Sequence, residues 1–356
     1  MANRKALVAG GLGIVGRALV QHLDTLDDWD TVALSRREPD FETTARFISV
    51  DLTDRSACEA SLAGLDDITH IFFAAVGSAF YAEGAPQSPA EETALNLDMV
   101  RNLVEVVAPQ APGLDHIQLI HGTKWYGNNF GPFKTPAQET DPRVMPPLFY
   151  YAQFDWLKAY QRGKSWSYSN LIPHGIYGFA VKSPYNHLMA LALYACISKE
   201  LGLPLRWAGH PGAFTALYQW TEAAYLAKGM VWSATTEACA NGTFNFTNGD
   251  YDRWCNIWPR IAQFFDMELG PVQTISLAQM MVDKGPVWEN IRQRHDLRYG
   301  MDDLVDWRFP DWAYGAEFDQ MSSMTKVWEH GWSEVNPSGD MILRLLGDLR
   351  RDKIIP

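Results

Sequence analysis

The sequence predicts a doubly wound α/β fold, a parallel sheet with helices on both faces that carries a smaller, mostly helical substrate lobe. Three observations predict it. A glycine turn, Gly10-Gly11-Leu12-Gly13-Ile14-Val15-Gly16, follows a short apolar strand at residues 5–9 and opens a segment at 14–26 with helical spacing. Apolar strand-like runs then alternate with helical stretches at the pace of βαβ units. A chain of 356 residues is also longer than one minimal domain needs, and suits a Rossmann-type nucleotide domain with a lobe built onto it.

The elements follow in order. A second apolar run, residues 31–34, ends in Ser35-Arg36-Arg37, and a third, 46–50, ends at Asp51 before the turn-like Leu52-Thr53-Asp54. Residues 68–75 read as a continuous buried strand, 90–107 as a long amphipathic helix and 116–120 as a further central strand. The stretch 125–148 is a loop rich in Gly, Pro and aromatics, and loops this long in compact domains are usually functional. A helix at 149–161 and a strand at 169–172, stopped by Pro173, complete a nucleotide domain at residues 1–173. Residues 174–356 are assigned mainly to the substrate lobe, with segments near 174–182 and 242–250 returning to the nucleotide domain. The 14 Trp, 14 Tyr and 17 Phe are an unusual load of side chains that fill cores or line apolar pockets.

Composition excludes several classes of function. A net charge of −12 without a Lys/Arg stripe speaks against a nucleic-acid surface. No apolar run approaches the ~20 residues of a membrane span, and the first residues lack a signal peptide's pattern. A cytoplasmic enzyme acting on small molecules is the expectation. Cys58, Cys196, Cys239 and Cys255 have no paired spacing, so neither a metal site nor a disulfide framework is expected.

At the glycine turn, Gly10 permits the tight turn, Gly13 lets the backbone approach a pyrophosphate, and Gly16 lets helix pack on strand. The amides of Ile14, Val15 and Gly16 would then face the phosphates. Dinucleotide sites that take NAD carry an acidic residue at the end of the second strand. Here Ser35, Arg36 and Arg37 stand there, and guanidiniums pair with a 2′-phosphate, so the expected cofactor is NADPH. Asp51 is placed for the adenine edge, with an N-cap role as its alternative. Leu52, Ala75 and Ile176, at other strand ends, join the expected cofactor contacts.

Short-chain dehydrogenases supply Tyr and Lys four apart on one helix face. The only literal match, Tyr160 to Lys164, straddles Gly163 where a helix is finishing, in a polar stretch that reads as surface. A discontinuous set is stronger: His121-Gly122-Thr123-Lys124-Trp125-Tyr126-Gly127, then Gly131-Pro132-Phe133, then Phe149-Tyr150-Tyr151-Ala152-Gln153-Phe154-Asp155. These segments resemble the progesterone 5β-reductase and iridoid synthase family, atypical extended short-chain reductases of activated carbon-carbon double bonds. Ile176-Tyr177-Gly178-Phe179 with Ser183-Pro184-Tyr185, Gly202-Leu203-Pro204-Leu205-Arg206, and the terminal Lys353-Ile354-Ile355-Pro356 extend the likeness over nearly the whole chain.

The resemblance implies Lys124 and Tyr151 as catalytic pair, both also touching cofactor, and hydride delivery to the carbon β to a carbonyl. It implies a small apolar carbonyl-containing substrate and a homodimer. Phe80, Tyr81, Trp125, Tyr126, Phe149 and Phe214 are the expected pocket lining. Trp125 and Phe154 depart from the family's His and Glu, which bears on substrate preference more than on reaction type. Two further readings use the same residues: 1,2-reduction at a carbonyl, and a non-catalytic NADPH-binding protein.

Overall fold

The computed structural model describes residues 4–77 and 86–356. The opening apolar run becomes β1 (Arg4–Ala9), the glycine turn delivers α1 (Ile14–Leu23), and the chain returns through β2 (Trp29–Ser35) and β3 (Arg46–Ser49). A crossover helix, α2 (Arg55–Ser61), starts where the Asp54 side chain accepts from the Ala57 amide at 3.0 Å. β4 (His70–Phe73) and α3 (Pro89–Val107) follow, the helix capped by Ser88 with Pro89 in its first turn. β5 (His116–Ile120), α4 (Phe149–Tyr160) and β6 (Ser167–Ile172) complete the second half of the wind.

Beyond β6 the chain makes β7 (Ile176–Tyr177), α5 (His187–Glu200), α6 (Pro211–Thr215), β8 (Leu217–Tyr218), β9 (Thr221–Glu222), α7 (Ala223–Thr235) and β10 (Gly242–Asn245). β11 (Asp252–Arg253) leads into α8 (Trp254–Phe264), and short helices α9 (Leu277–Met280), α10 (Gly285–His295), α11 (Met301–Leu304), α12 (Arg308–Ala313) and α13 (Thr325–Glu329) precede the terminal α14 (Ser338–Arg351).

Among the described residues the main sheet has seven parallel strands in the order β10-β6-β5-β4-β1-β2-β3. The winding reverses between β1 and β4, so a crevice opens at their carboxyl ends, the place where such sheets bind ligands. Residues 242–245 do rejoin the sheet, as its edge strand beside β6. β7 pairs with β9 in a small two-stranded ribbon, and Ile176 and Ala180 pack against Ile14 of α1.

Two kinds of core result. α1 and α7 share a buried cluster through Leu19, Val20, Leu23, Leu226 and Met230 on one face of the sheet. The lobe is built around tryptophan: Trp207 meets Trp258 edge-on at 5.1 Å and Trp254 at 5.3 Å, and Trp254 meets Trp220 at 5.4 Å. Such ring pairs add to area burial, so much of the aromatic excess is core.

Candidate active site

The crevice is formed by the glycine turn. Gly10 has φ +80°, and a Cβ there would meet Ala74 O at 2.9 Å and Ala75 Cα at 3.0 Å. A Cβ on Gly16 would lie 2.2 Å from Gly10 O, so only glycine lets α1 close onto the turn. The Gly10 and Gly11 amides hold the turn to Leu34 O at the end of β2. Gly13 is the N-cap of α1 and no side chain caps it, which leaves the first amides of the helix for an anion. These features fit a dinucleotide pyrophosphate.

Arg36 and Arg37 follow β2. Arg36 is exposed, whereas Arg37 donates one hydrogen bond to Val181 O at 3.0 Å and so bridges to the lobe. Ser35 accepts from the Arg37 amide at 3.1 Å, which shapes this basic turn. The buried Arg17, one turn into α1, pairs with Asp40 at 2.7 Å between the rings of Phe41 and Phe179. Asp51 accepts from the Thr53 amide and hydroxyl, bonds that hold its carboxyl below the usual range, and Asp54 caps α2. Leu52 is buried beside it.

At the other end of the crevice lies a cavity of about 560 Å³. His121 and Gly122 follow β5, and the 3-10 turn Thr123–Tyr126 carries Lys124 onto the wall. α4 brings Tyr150, whose ring stacks on His121 at 4.6 Å. A Cβ on Gly122 would come within 3.2 Å of the Tyr150 hydroxyl, so the glycine leaves that hydroxyl its room. The segment 173–176 after β6 adds Pro173, His174, Gly175 and Ile176, and the lobe adds Tyr218, Trp312 and Gln320.

Burial sets the charges here. It holds Lys124 below the ordinary lysine value, against an opposing pull from Glu92 in the first turn of α3. It pushes the Tyr150 phenol up, with Glu92 adding to the effect, so the hydroxyl keeps its proton at neutral pH. His121, His174 and His187 are each lowered by burial to about 3 and stay neutral. Among the described residues no cluster of His, Cys, Asp and Glu could hold a metal, and no helix is long and apolar enough to cross a membrane.

A family model described as a PRISE-like Rossmann-fold domain matches residues 50–356. The chain belongs to this family. The (S)-8-oxocitronellyl enol synthase of Nepeta racemosa is 31% identical over 369 residues, covering 99% of this chain and 93% of that protein. A short chain dehydrogenase of Penicillium aethiopicum is 30% identical over 387 residues and covers 99% of both chains. Among solved structures, a UDP-glucose 4-epimerase from Thermotoga maritima superposes with a TM-score of 0.70 at 14% identity, covering 98% of this chain and 99% of that one, which speaks to the fold. This PRISE-like protein is therefore an enzyme of the short-chain dehydrogenase/reductase kind.

In this PRISE-like enzyme the expected residues are sorted by the fold. Lys124 and Ile176 line the cavity, and Gly10, Gly13, Ile14, Val15, Gly16 and Ala75 meet at the crevice. Tyr151 does not reach the cavity. Its hydroxyl donates to Trp125 O at 2.5 Å and accepts from the Val144 amide at 3.0 Å, inside a packed cluster where the residue is 4% exposed. Consecutive helical side chains diverge by ~100°, so turning Tyr150 to the cavity turns Tyr151 away from it. Of the two adjacent α4 tyrosines, Tyr150 is the one that lines the cavity, as Lys124 does.

The expected pocket residues are corrected likewise. Trp125 packs edge-on against Tyr151 at 5.0 Å and Phe154 at 5.5 Å, so the two departures from the family pattern compensate each other behind the wall. The Tyr126 hydroxyl donates to Asn245 at 2.7 Å, Phe149 is buried against Tyr150, and Phe214 packs on Trp207 in the lobe core. None of these four lines the cavity. Phe80 and Tyr81 lie outside the described residues. Tyr160 stacks on Trp156 with Lys164 over its ring, away from the cavity.

Sequence reasoning missed Tyr150, His174, Tyr218, Trp312 and Gln320 on the wall. His174 had a signal, since it follows Pro173 at a strand's carboxyl end, the edge of such sheets that binds ligands. The lobe residues had none, because their positions depend on how α12 and the 315–320 segment fold back.

Proposed function

We propose that the enzyme is an NADPH-dependent reductase of activated carbon-carbon double bonds in small, neutral, apolar carbonyl compounds. The observation that carries this reading is that Lys124 and Tyr150 both line one cavity at the carboxyl ends of β5 and β6. The exposed Arg36 at the end of β2, where an NAD site would carry a carboxylate, supports the 2′-phosphate form of the cofactor. The amides at the start of α1 would hold its pyrophosphate, Ile176 would lie near the nicotinamide, and the group when bound supplies a hydride.

The chain's own residues do the rest. Negative charge develops on the substrate's carbonyl oxygen as the double bond is reduced, and the protonated Tyr150 hydroxyl donates a hydrogen bond to it. Lys124 adds positive charge on the same wall, where burial raises the value of that charge. The neutral histidines contribute no counter-charge, which suits an uncharged substrate. Phe130 and Trp312, 70% and 47% exposed at the cavity, give an apolar approach.

The test is NADPH consumption by the purified enzyme over a panel of cyclic enones, 2-alkenals, saturated aldehydes and alcohols, with product identification. The expected product is the saturated carbonyl compound. An allylic alcohol, or cofactor binding without turnover across the panel, overturns the reading.

A further inference from the structure

One wall of the cavity carries a connected polar strip that the reaction above does not use. The Asn128 amide donates to Thr123 Oγ1 at 3.0 Å and to Gln320 Oε1 at 3.3 Å. Thr123 Oγ1, accepting from Asn128, also shares a hydrogen bond with His174 Nδ1 at 2.6 Å. In the tautomer where the threonine donates, His174 carries its own proton on Nε2. All four residues line the cavity, and they arrive from three separate segments, the turn after β5, the end of β6 and the lobe.

The strip has two loose ends. His174 Nε2 and Asn128 Oδ1 are buried and have no hydrogen-bond partner among the described residues, although both side chains are more than nine-tenths buried. Buried polar atoms in native proteins are otherwise almost always paired. In that tautomer one end is a donor and the other an acceptor, and both residues hydrogen-bond the same Thr123 hydroxyl.

We infer that this strip is the seat of a hydroxyl group on the substrate, remote from the carbonyl held by Tyr150 and Lys124. A hydroxyl satisfies both ends at once, accepting from His174 Nε2–H and donating to Asn128 Oδ1. A ketone oxygen would satisfy only the histidine, and a carboxylate would set its lone pairs against Asn128 Oδ1. The substrate class is thus a hydroxylated enone or enal. This rests on the reductase reading for the reacting end, and the strip itself is a specificity determinant.

The experiment compares 2-alkenals of increasing length with and without a terminal hydroxyl, as kcat/KM with NADPH. Alongside, calorimetry measures how the corresponding saturated aldehydes, with and without the hydroxyl, bind the NADP-loaded enzyme. At the chain length that spans the cavity, the hydroxylated compound is expected to be favoured at least ~10-fold in both readouts. His174→Phe, which keeps a ring against Tyr218, and Asn128→Leu should each bring that ratio towards one, while His174→Gln, which retains an N–H, keeps part of it. Equal binding of the hydroxylated and plain compounds by the wild type, or a ratio unmoved in both variants, overturns the inference. Preferential binding without turnover would retain the strip and sink the reductase reading instead.

Discussion

Replacing Tyr150 and Tyr151 separately by phenylalanine divides the two adjacent tyrosines by kind of loss as well as by size. Tyr150→Phe removes one hydrogen-bond donor from the cavity wall and leaves the ring stacked on His121. Removing a donor aimed at a developing oxyanion costs about 2.7–4 kcal/mol, a fall of about 100- to 1,000-fold in kcat. Tyr151→Phe removes a hydroxyl that touches nothing in the cavity but joins Trp125 O to the Val144 amide. Those two backbone groups would be left unpaired at about 1–3 kcal/mol each, a cost to stability. The assay is steady-state kcat and KM with an enone, together with a denaturation midpoint for each variant. Tyr150→Phe should lose turnover at an unchanged midpoint, and Tyr151→Phe should lower the midpoint with turnover within a few-fold of wild type. If Tyr151→Phe abolishes turnover while Tyr150→Phe retains it, the assignment from α4's orientation is wrong.

Arg36→Ala removes an exposed guanidinium that packs on little, so it should weaken NADPH binding by about 10-fold or more without touching NADH, read as two dissociation constants. An equal loss for both cofactors would move the phosphate contact elsewhere. Gly16→Ala places a Cβ 2.2 Å from Gly10 O and should destroy dinucleotide binding, whereas Gly113→Ala, with nothing within 4 Å, should leave both binding and the thermal midpoint unchanged. Because the three cavity histidines are held at about 3, kcat/KM should show no inflection near pH 6.5, and its alkaline limb should fall below the ordinary lysine value as Lys124 loses its proton. The same burial has a linkage consequence. The unfolded chain binds protons on these imidazoles near pH 6.5 but the folded chain refuses them until about 3, so stability present above 6.5 is lost as the pH falls through that window. Each fully neutral histidine contributes at most about 1.4 kcal/mol per pH unit there, and an unfolding midpoint that does not drop between about pH 7.5 and about pH 5.5, roughly one unit either side of the ordinary histidine value, would contradict the burial.

The fold was legible where pattern and local grammar agree. Residues 116–120, read as a central strand, are the observed β5, and the glycine turn sits between the strand and helix that its spacing requires. α2 was not legible, because Arg55–Ser61 carries a single buried residue, Cys58, and so no apolar stripe. The first helix was read to residue 26 but ends at Leu23, since Leu26 belongs to the turn that feeds β2.

The site was legible by segment and illegible by side chain. Lys124 came from the family resemblance, and the short turn after β5 carries it to the cavity wall. The choice between Tyr150 and Tyr151 depends on the rotation of α4, set by Leu148, Trp125 and His121 from outside the helix, and no local pattern encodes that. The aromatic pocket failed for a related reason. Trp125, Tyr126 and Phe149 have the chemistry of pocket walls, but each is consumed in bracing the segment that carries Lys124 or Tyr150.

The central claim is that hydride reaches the carbon β to a carbonyl, and it is tested most directly by following the transferred hydrogen. Turnover of an enone with NADPH deuterated at the transferable position should give a saturated ketone carrying one deuterium at the β-carbon, with the label lost in Tyr150→Phe along with turnover. Deuterium on a carbinol carbon, in an allylic alcohol, would contradict the claim and make the enzyme a carbonyl reductase.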